Sequence, residues 1–372
     1  MPYLFKNIND IERGTLTRAL VRVDFNVPIK DGIVQDGFRI DETWPTLKVL
    51  LKKGFKLVLL AHLGEDGSES LRPIVQYMAK FSRVVLASSI EEAKILTKDG
   101  NNIVLLENVR GFPGEKENSS TLSKSFASLG DIFVNEGFSV SHRKHSSVVG
   151  VAKYLPSYAG VLFKKEVEML SKAFNPTKPF VLILGGKKAE TKIPLISRFV
   201  DNADKIILGG ALANDFLKAK GFNVGKSLIS DADLIKKDWL ADTKFVTPEK
   251  VIVEGSNGGR EILTAEMGEG DKIVDVGESF VEIVRSILKS AKFVVWNGSF
   301  GICESGYDSG TKGIAEAVVS SGAFSVVGGG DTTAALDSFK MADKFSFVST
   351  GGGAMLDFLA VGTLPGIDAL HK

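Results

Sequence analysis

Short apolar runs alternate with amphipathic segments along the first half of the chain. The apolar runs are residues 20–23, 57–60, 84–86, 103–106 and 132–134. Between them, residues 43–53 and 74–80 place apolar side chains at helical spacing. Strands that are apolar throughout and alternate with helices are typical of a mainly parallel sheet covered by helices. The first half is therefore predicted to be an α/β domain.

The second half repeats one arrangement four times: an apolar strand, a glycine turn and a helix. The four segments read FVLILGGKKAETKI, KIILGGALANDFLKA, FSVVGGGDTTAAL and FSFVSTGGGAMLDFL. They have no fixed short spacing, so they do not indicate a solenoid. We predict a second doubly wound parallel sheet, with its glycine turns at the carboxyl ends of the strands, where such sheets bind ligands. Residues 231–270 are predicted to form a polar excursion with short strands.

A connecting helix is predicted between the two halves. Apolar side chains recur there at helical spacing, at Phe163, Val167, Leu170 and Phe174. The sequence NPTKP then ends the pattern, because proline interrupts a helix. A chain of 372 residues is also too long for one typical core. The predicted divisions are residues 1–157, 158–175, 176–357 and 358–372.

Composition and charge narrow the possible partners. Apolar residues make up 44% of the chain, and 46 basic against 45 acidic residues leave a net charge of +1. No overall field therefore attracts nucleic acid or an anionic membrane, and an anion must be bound by a local cluster. The single cysteine, Cys303, excludes an internal disulfide. With no signal, transit or membrane-spanning pattern, we expect a cytoplasmic protein.

The segment VVGGGDTTAAL, residues 326–336, combines features that suit a phosphate. An apolar strand leads into three glycines, and Asp331 and Thr332 open a helix. Glycines let a ligand approach the backbone, and a helix N-terminus offers unpaired N–H groups. Asp331 would suit a magnesium ion that the phosphate also touches. The alternative is an ordinary turn in which Asp331 caps the helix.

Basic side chains follow several predicted strands in the first half. They occur in RVDFN, AHLG, LLENVR and SHRKH, and Arg39 lies in GFRID. Arginines gathered at the carboxyl end of one sheet would bind carboxylate or phosphate bidentately. For any single arginine, a surface salt bridge is the alternative. For His62, His142 and His145, capping or core hydrogen bonds are the alternative.

Two lysines of the second half suit a polyphosphate. Lys188 and Lys192 are four residues apart after a glycine pair, so on a helix they would share one face near its N-terminus. A solvated helix face is the alternative. Basic residues in one domain and a glycine-lined nucleotide site in the other together indicate phosphoryl transfer, which depends on positioning and charge neutralisation.

Two further glycine motifs are not phosphate loops. GFNVGKS, residues 221–227, has three residues between its glycines where a P-loop has four, and it follows a predicted helix. Gly221 is predicted to end that helix. GEGDKI, residues 268–273, lacks the third glycine of a dinucleotide motif and is predicted to be a turn.

Taken in order, the motifs resemble those of phosphoglycerate kinases over essentially the whole chain. The matching motifs are RVDFNVP, AHLG, LLENVR with PGE, SHRKHSSVVG, FVLILGG with Lys192, VVWNG, GGGDT and STGGGA. The resemblance implies two Rossmann-like, doubly wound parallel-sheet domains joined by a hinge helix, with the tail returning to the first domain. It implies a monomer that transfers a phosphoryl group reversibly between 1,3-bisphosphoglycerate and ADP in glycolysis. The products are 3-phosphoglycerate and MgATP, and the domains close about the hinge.

The resemblance also implies roles for individual residues. The phosphoglycerate would be held by Asp24, Asn26, Arg39, His62, Arg110 and Arg143. The nucleotide would be held by Gly186, Lys188, Lys192, Gly210, Asn297, Glu304, Gly329, Gly330, Asp331 and Thr332. Within that set, Glu304 would contact the ribose and Asp331 the Mg²⁺. Arg39 and Lys192 would balance charge on the transferred phosphoryl group, helped by backbone N–H groups near Gly330 and Gly352.

This sequence departs from the family pattern at six positions. They are Glu65 for an arginine, Gly111 for a phenylalanine, Thr191 for an aspartate, Ala211 and Ile273 for glycines, and Ser299 for a proline. Glu65 places a negative charge beside an anionic substrate. A related acyl-phosphate kinase with a different acid therefore stays open, as does a non-catalytic, ligand-binding relative. Retention of Arg39, Lys192 and Asp331 favours catalysis.

The Glu65→Arg variant is expected to bind 3-phosphoglycerate about three- to tenfold more tightly than the parent chain, because it replaces a repelling charge with an attracting one. Isothermal titration calorimetry measures both dissociation constants. Asp66→Arg, a charge reversal at the next residue, serves as the matched control. Tight binding by the parent that Glu65→Arg leaves unchanged would contradict the prediction.

Overall fold

The computed structural model describes residues 5–12, 14–230, 232–255 and 259–371. Predictions that fall on residues 1–4, 13, 231, 256–258 and 372 lie outside this range: part of the N-terminal segment, part of the polar excursion with GSNGGR, and the last residue of the tail. The chain divides into two compact units. The first comprises Met1–Glu168 with Thr363–Lys372, and the second comprises Met169–Gly362.

The first unit is built on a six-stranded parallel sheet. The strands of this unit, including two outside the sheet, are β1 (Arg18–Arg22), β2 (Ile29–Lys30), β3 (Ile33–Val34), β4 (Lys56–Leu60), β5 (Val85–Ala87), β6 (Ile103–Leu106), β7 (Ile132–Asn135) and β8 (Ser157–Ala159). Its helices are α1 (Phe38–Lys52), α2 (Arg72–Met78), α3 (Ile90–Lys98), α4 (Ser120–Ala127) and the start of α5 (Val161–Ser171). The sheet order is β5-β6-β4-β1-β7-β8, and β2 and β3 form a separate hairpin.

Both faces of this sheet are buried, as the apolar runs predict. Val21 of β1 lies in one core together with Leu47 and Leu50 of α1. The neighbouring Leu20 lies in the core on the other face, with Phe126 of α4. Alternate side chains of a strand point to opposite faces, so a strand buried between two helical layers must be apolar throughout.

The second unit contains a second six-stranded parallel sheet. The strands of this unit, including three outside the sheet, are β9 (Phe180–Leu184), β10 (Lys205–Leu208), β11 (Phe245–Val246), β12 (Lys250–Val253), β13 (Arg260–Leu263), β14 (Ile273–Val276), β15 (Phe293–Asn297), β16 (Phe324–Gly328) and β17 (Phe347–Ser349). Its helices are α6 (Ile193–Phe199), α7 (Gly210–Ala219), α8 (Lys237–Ala241), α9 (Glu278–Leu288), α10 (Ser309–Ser321), α11 (Gly330–Ser338) and α12 (Gly353–Val361). The last helix, α13 (Pro365–Asp368), belongs to the first unit.

Strand pairing in the second unit brings the glycine turns to one edge. The sheet order is β11-β10-β9-β15-β16-β17, and β13-β12-β14 form a small antiparallel sheet. In the parallel register, Asn297 pairs with both Leu184 and Gly328, and Gly328 pairs with Ser349. The turns after β9, β15, β16 and β17 therefore start side by side. This confirms the predicted fold class and the predicted place of the glycine turns.

The predicted connecting helix is wrong at its start. Residues 157–159 form β8, which pairs with β7, and α5 begins only at Val161. The beginning of α5 is fixed by long-range caps: Glu136 accepts the N–H groups of Leu162 and Phe163, each at 3.1 Å, and Thr46 Oγ1 accepts that of Val161 at 2.8 Å. No local sequence pattern shows these partners. A 3-10 turn, Lys172–Phe174, follows the helix.

The predicted tail also starts too early. Residues 358–361 are the last turn of α12, and the segment that belongs to the first unit begins at Thr363. Gly362, at φ +91°, ends the helix because few other residues adopt that backbone conformation. Gly221 ends α7 in the same way, as predicted. Among the described residues, no helix has the length and apolar character needed to cross a bilayer.

The start of β1 depends on Asp131, and Asp131→Asn is expected to destabilise the first unit. The carboxylate accepts the N–H groups of Thr17 and Arg18 at 2.9 Å and pairs with the Arg18 guanidinium at 2.6 Å. Burial raises the pKa of Asp131, but Arg18 and the two N–H groups outweigh it, so the pKa lies below its usual range. The loss is expected to be roughly 1.5–3 kcal/mol.

Because the folded-state pKa of Asp131 is depressed, its stabilisation is present above about pH 4 and is lost as the pH falls below that value. Hydrogen exchange at pH 7 is expected to be faster in the variant for peptides covering β1 and β7. Peptides covering β9 and β15 of the second unit are the internal control. Unchanged exchange in β1 would contradict the assigned role.

Candidate functional site

The predicted acid-binding residues of the first unit lie at the carboxyl ends of neighbouring strands. Asp24 and Asn26 follow β1, His62 follows β4, Arg110 follows β6, and Arg143 follows β7. These four strands are adjacent in the order β6-β4-β1-β7. Parallel pairing therefore brings residues that are far apart in the sequence to one edge of the sheet.

Asp24 positions Arg39 at this edge. Arg39 Nη1 donates to Asp24 Oδ2 at 2.7 Å and to the Asn26 carbonyl at 3.2 Å, and the Ser139 hydroxyl also donates to Asp24. Burial raises the pKa of the Asp24 carboxyl, but the Arg39 guanidinium and these hydrogen bonds outweigh it, so the net shift is downward. Asp24 is therefore an anion that fixes the guanidinium.

Arg22 is a member of this cluster that was not among the predicted site residues. Its side chain is buried, with Nε donating to Ser147 Oγ at 2.9 Å and Nη2 lying 3.3 Å from His62 Nδ1. Burial lowers the pKa of Arg22, while the carboxylates of Glu115 and Asp24 oppose that shift. Arg22 lies inside the RVDFN motif, which was the signal available in the sequence.

His62 is held neutral by its surroundings. Burial and the nearby Arg22 guanidinium lower the pKa of His62 to about 3. Arginine can only donate hydrogen bonds, so His62 Nδ1 must accept from Arg22, and the imidazole proton resides on Nε2. His62 can therefore donate a hydrogen bond from Nε2 at physiological pH, and it is not a ready general base.

His142 also offers a donor. Its Nε2 accepts from Arg143 Nε at 3.3 Å, so the proton of a neutral ring resides on Nδ1. That buried Nδ1 has no hydrogen-bond partner within the described part of the chain. A buried polar atom without a partner is costly and suggests that a ligand completes its bonding. The sequence alone did not distinguish this state of His142 from a satisfied core histidine.

Glu65 contacts one of the predicted substrate residues. Its carboxylate lies 3.2 Å from Arg110 Nη1, and its side chain is 85% exposed against 2% for Arg110. The loop that carries Glu65 packs on the backbone after Arg110: a Cβ at Gly67 would lie 2.3 Å from Gly111 N. The two departures from the family pattern, Glu65 and Gly111, therefore lie in segments that pack against each other.

The glycine turns of the second unit surround a cavity of about 390 Å³. Most of the predicted nucleotide residues line it, together with Lys187, which was not among them. The lining residues are Gly186, Lys187, Lys188, Thr191, Lys192, Asn297, Gly298, Gly329, Gly330, Asp331, Thr332, Gly352, Gly353 and Leu356. Lysines, one carboxylate and bare backbone are the groups that a polyphosphate with a metal ion requires.

Lys188 and Lys192 line the cavity, but they do not share a helix face as predicted. A 3-10 turn, Ala189–Thr191, separates them, and α6 begins only at Ile193. Pro194 in the first turn of α6 explains this boundary, because proline has no N–H to donate to a preceding turn and is accommodated in the first turn of a helix.

Lys192 is buried and held in place. Its Nζ donates to Asn297 Oδ1 at 2.5 Å, and Asn297 Nδ2 donates to the Gly328 carbonyl at 2.8 Å. Burial lowers the pKa of Lys192 to about 8, an effect that the nearby Asp331 carboxylate partly opposes. Its charge is therefore sensitive to pH near neutrality.

In the segment VVGGGDTTAAL, the strand ends later and the helix begins earlier than predicted. β16 runs through Gly328, and Gly329, at φ +110°, is the N-cap of α11, which begins at Gly330. Asp331 is thus the second helical residue and not the cap. Thr332 Oγ1 accepts the N–H of Gly298 at 2.8 Å, which joins this turn to the turn after β15.

The side chains of this cavity suit a magnesium ion that is bound mainly by the oxygen atoms of a ligand. Within residues 5–12, 14–230, 232–255 and 259–371, no group of three metal-binding side chains occurs. Asp331 is an exposed carboxylate beside the lysines of the cavity. Mg²⁺ is commonly bound by one or two carboxylates together with phosphate oxygens, so Asp331 suits an ion that arrives with a nucleotide.

A second, mostly apolar cleft adjoins this cavity. Its walls include Gly210 and three of the positions that depart from the family pattern: Ala211, Ile273 and Ser299. Glu304 lies nearby and pairs with Lys187 at 2.5 Å. An apolar cleft beside a basic cavity suits a nucleotide, whose base is flat and apolar and whose phosphates are charged.

An arginine cluster in one α/β unit and a lysine-lined cavity with one carboxylate in the other are features that a phosphotransferase requires. The sequence pattern of the family described as Phosphoglycerate kinase matches residues 8–361. The chain belongs to the phosphoglycerate kinase family. It is a phosphotransferase with a carboxyl group as acceptor, and its function is that of a phosphoglycerate kinase, as the motifs predict.

Individual relatives agree along nearly the full length. The phosphoglycerate kinases of Fervidobacterium nodosum and Haemophilus influenzae are each 41% identical to this chain, over 381 and 370 residues, with 95% of both sequences covered. The solved phosphoglycerate kinase of Coxiella burnetii shares 36% identity with a TM-score of 0.82, and that of Pyrococcus horikoshii OT3 shares 29% with a TM-score of 0.86. Each of these two alignments covers 98% of this chain and 98% of the solved chain. These matches do not favour the alternative functions.

The electrostatics of the arginine cluster predict that two of the four histidines stay neutral down to pH 5. Burial lowers the pKa of His62 to about 3 and that of His145 to about 4. Proton–carbon NMR of histidine-labelled protein is expected to show no titration for these two rings between pH 8 and pH 5. His62→Gln and His145→Gln assign the signals. A midpoint near pH 6.5 for His62 would contradict the prediction.

Proposed function

We propose that the first unit binds 3-phosphoglycerate or 1,3-bisphosphoglycerate and that the second binds ATP or ADP with Mg²⁺. The observation that carries this proposal is the cavity at the carboxyl ends of β9, β15, β16 and β17, where lysines, Asp331 and glycine backbone converge. Acid binding by residues 1–157 and nucleotide binding by residues 176–357 remain our predictions, with the start of the connecting helix corrected to Val161 and the start of the tail to Thr363.

In the first unit, cations hold the acid and neutral groups orient it. Arg39, Arg110 and Arg143 supply positive charge for its phosphate and carboxylate groups. Asp24 keeps Arg39 in place, and His62 donates from Nε2. Asn26 Oδ1 accepts the Gly64 N–H at 3.0 Å, which ties the turn after β1 to the turn after β4.

In the second unit, each part of the nucleotide has a partner. Lys188 and Lys192 bind phosphate oxygens, and the N-terminus of α11, with Gly329 and Gly330, adds backbone N–H groups. The base enters the cleft beside Gly186 and Gly210, and Glu304 accepts the ribose hydroxyls. Asn297 positions Lys192, and Thr332 fixes the turn. Mg²⁺, when bound with the nucleotide on Asp331, supplies neutralisation of phosphate charge.

During transfer, Arg39 and Lys192 balance the charge of the phosphoryl group, together with N–H groups near Gly330 and Gly352. Such a reaction needs little covalent help from the protein. Because we assign the acid and the nucleotide to different units, transfer requires both to meet with water excluded, and we propose hinge closure. Small-angle scattering tests it: an unchanged radius of gyration with both ligands present would contradict closure. We propose a cytoplasmic monomer.

A coupled assay with 3-phosphoglycerate and MgATP tests the proposed function. Turnover is expected, and Lys192→Met is expected to lower kcat by about 100-fold or more, because a charge used in the transition state is lost. Lys205→Met, a surface lysine of β10 that bonds the Thr243 carbonyl, is the matched control and is expected to keep parental activity. Turnover with another acid but not with 3-phosphoglycerate would overturn the proposal.

The pKa of Lys192, lowered by burial to about 8, predicts an alkaline limit. Lysine loses its charge above its pKa, so kcat/KM for MgATP is expected to fall as the pH rises from 8 to 9.5. Lys192→Arg keeps its charge throughout this range, so its lower activity is expected to stay flat. The same alkaline fall in both enzymes would show that another group causes it.

A further inference from the structure

Lys187 lies where the two cavities of the second unit meet. The apolar cleft and the lysine-lined cavity share two lining residues among those described, Gly186 and Lys187. Gly186 has no side chain, so Lys187 supplies the side chain common to both. The part of a nucleotide that joins the base to the terminal phosphates is the ribose with the α-phosphate. A nucleotide that occupies both cavities must pass this position.

The backbone of Lys187 is held in place from the neighbouring loop. Ser230 Oγ donates to the Lys187 carbonyl at 2.6 Å and accepts the N–H of Ala189 at 3.1 Å. The N–H of Ser230 in turn donates to Asp215 Oδ1 of α7 at 2.9 Å. Lys187 therefore projects from a fixed loop, and only its side chain needs to move when a ligand arrives.

The charged end of Lys187 is already paired with a proposed ribose ligand. Lys187 Nζ lies 2.5 Å from Glu304 Oε1, and the two side chains are 53% and 56% exposed. The hydrogen bond that Lys187 donates to Glu304 raises the pKa of Lys187, and the Asp331 carboxylate raises it further. An exposed ion pair of this kind contributes little to folding stability, so folding alone does not account for it.

We propose that Lys187 is a nucleotide-binding residue that exchanges partners when the nucleotide enters. Without nucleotide, it pairs with Glu304 and keeps that carboxylate at the ribose position. With nucleotide, Glu304 stays in place and accepts hydrogen bonds from the ribose hydroxyls, while Lys187 Nζ leaves it and binds the α-phosphate. This inference rests on the proposed nucleotide site and on the proposed role of Glu304, and it adds a cation that lies outside the family motifs.

Comparison of adenosine with AMP tests the exchange. Lys187→Ala is expected to weaken AMP and ADP binding about five- to twentyfold, as expected for a lost charge-assisted contact. Adenosine binding is expected to change less than twofold, because adenosine has no phosphate. Dissociation constants are measured without Mg²⁺ by competition against a fluorescent ATP analogue. Lys187→Arg is expected to restore AMP binding.

The control is Arg285→Ala, which removes a comparable exposed ion pair with Glu282 on α9. It is expected to leave all three affinities unchanged. If Lys187→Ala weakens adenosine and AMP equally, Lys187 only holds Glu304, and the exchange is wrong. If AMP binding is unaffected, the phosphate contact is wrong. If the parent protein binds no ADP, the proposed nucleotide site fails first.

In turnover, KM for MgADP is expected to rise by a similar factor with kcat within twofold, because the α-phosphate is not the reacting group. A fall in kcat with KM unchanged would place Lys187 at the transferred phosphoryl group and would overturn the proposal.

Discussion

Parallel strand pairing is the constraint on which both candidate sites depend. In each six-stranded sheet, every strand ends at the same edge, so the segments that follow neighbouring strands must lie side by side. Asp24, His62 and Arg110 become neighbours in this way, although the sequence separates them widely. The cores on the two faces of each sheet keep the strands in register and therefore hold both sites.

Gathering cations at one edge has an electrostatic cost, and the first unit offsets it in two ways. Some positive charge is paired with a carboxylate, as in Arg39 with Asp24 at 2.7 Å and Arg22 near Glu115. His62 and His145 could add further positive charge, but burial keeps both of them neutral. The cluster keeps the arginines that an anionic acid needs and removes the imidazolium charge that would repel them.

The sequence predicts the elements well where the information is local. Apolar strands between helical patterns identify both sheets, and the glycine turns mark the correct ends of the strands in the second. Predictions fail where a distant partner decides the outcome. The start of α5 depends on Glu136 and Thr46, and the pairing of β8 with β7 removes residues 157–159 from the predicted helix.

The candidate sites, too, are predicted well where the information is local and poorly where a distant partner decides the outcome. Motif order identifies the family, and most of the predicted nucleotide residues line the lysine-lined cavity. The motifs do not indicate that Lys188 and Lys192 are separated by a 3-10 turn. Nor does it indicate that Arg22 is a buried partner of His62, because nothing local in RVDFN distinguishes a ligand-binding arginine from a supporting one. Burial and tautomer state arise from packing, and packing joins segments that the sequence keeps apart.

The two units offer different arrangements for the anion that we propose each of them binds. In the first, arginines are fixed before the ligand arrives, because Asp24 and backbone carbonyls already occupy part of their donors. In the second, Lys192 is buried and loses charge readily, while Lys187 is exposed and paired with Glu304. A rigid site suits an acid whose shape must be recognised. A cavity that also holds an exposed cation, able to change partners, would suit the proposed nucleotide ligand, whose phosphate number changes in every cycle.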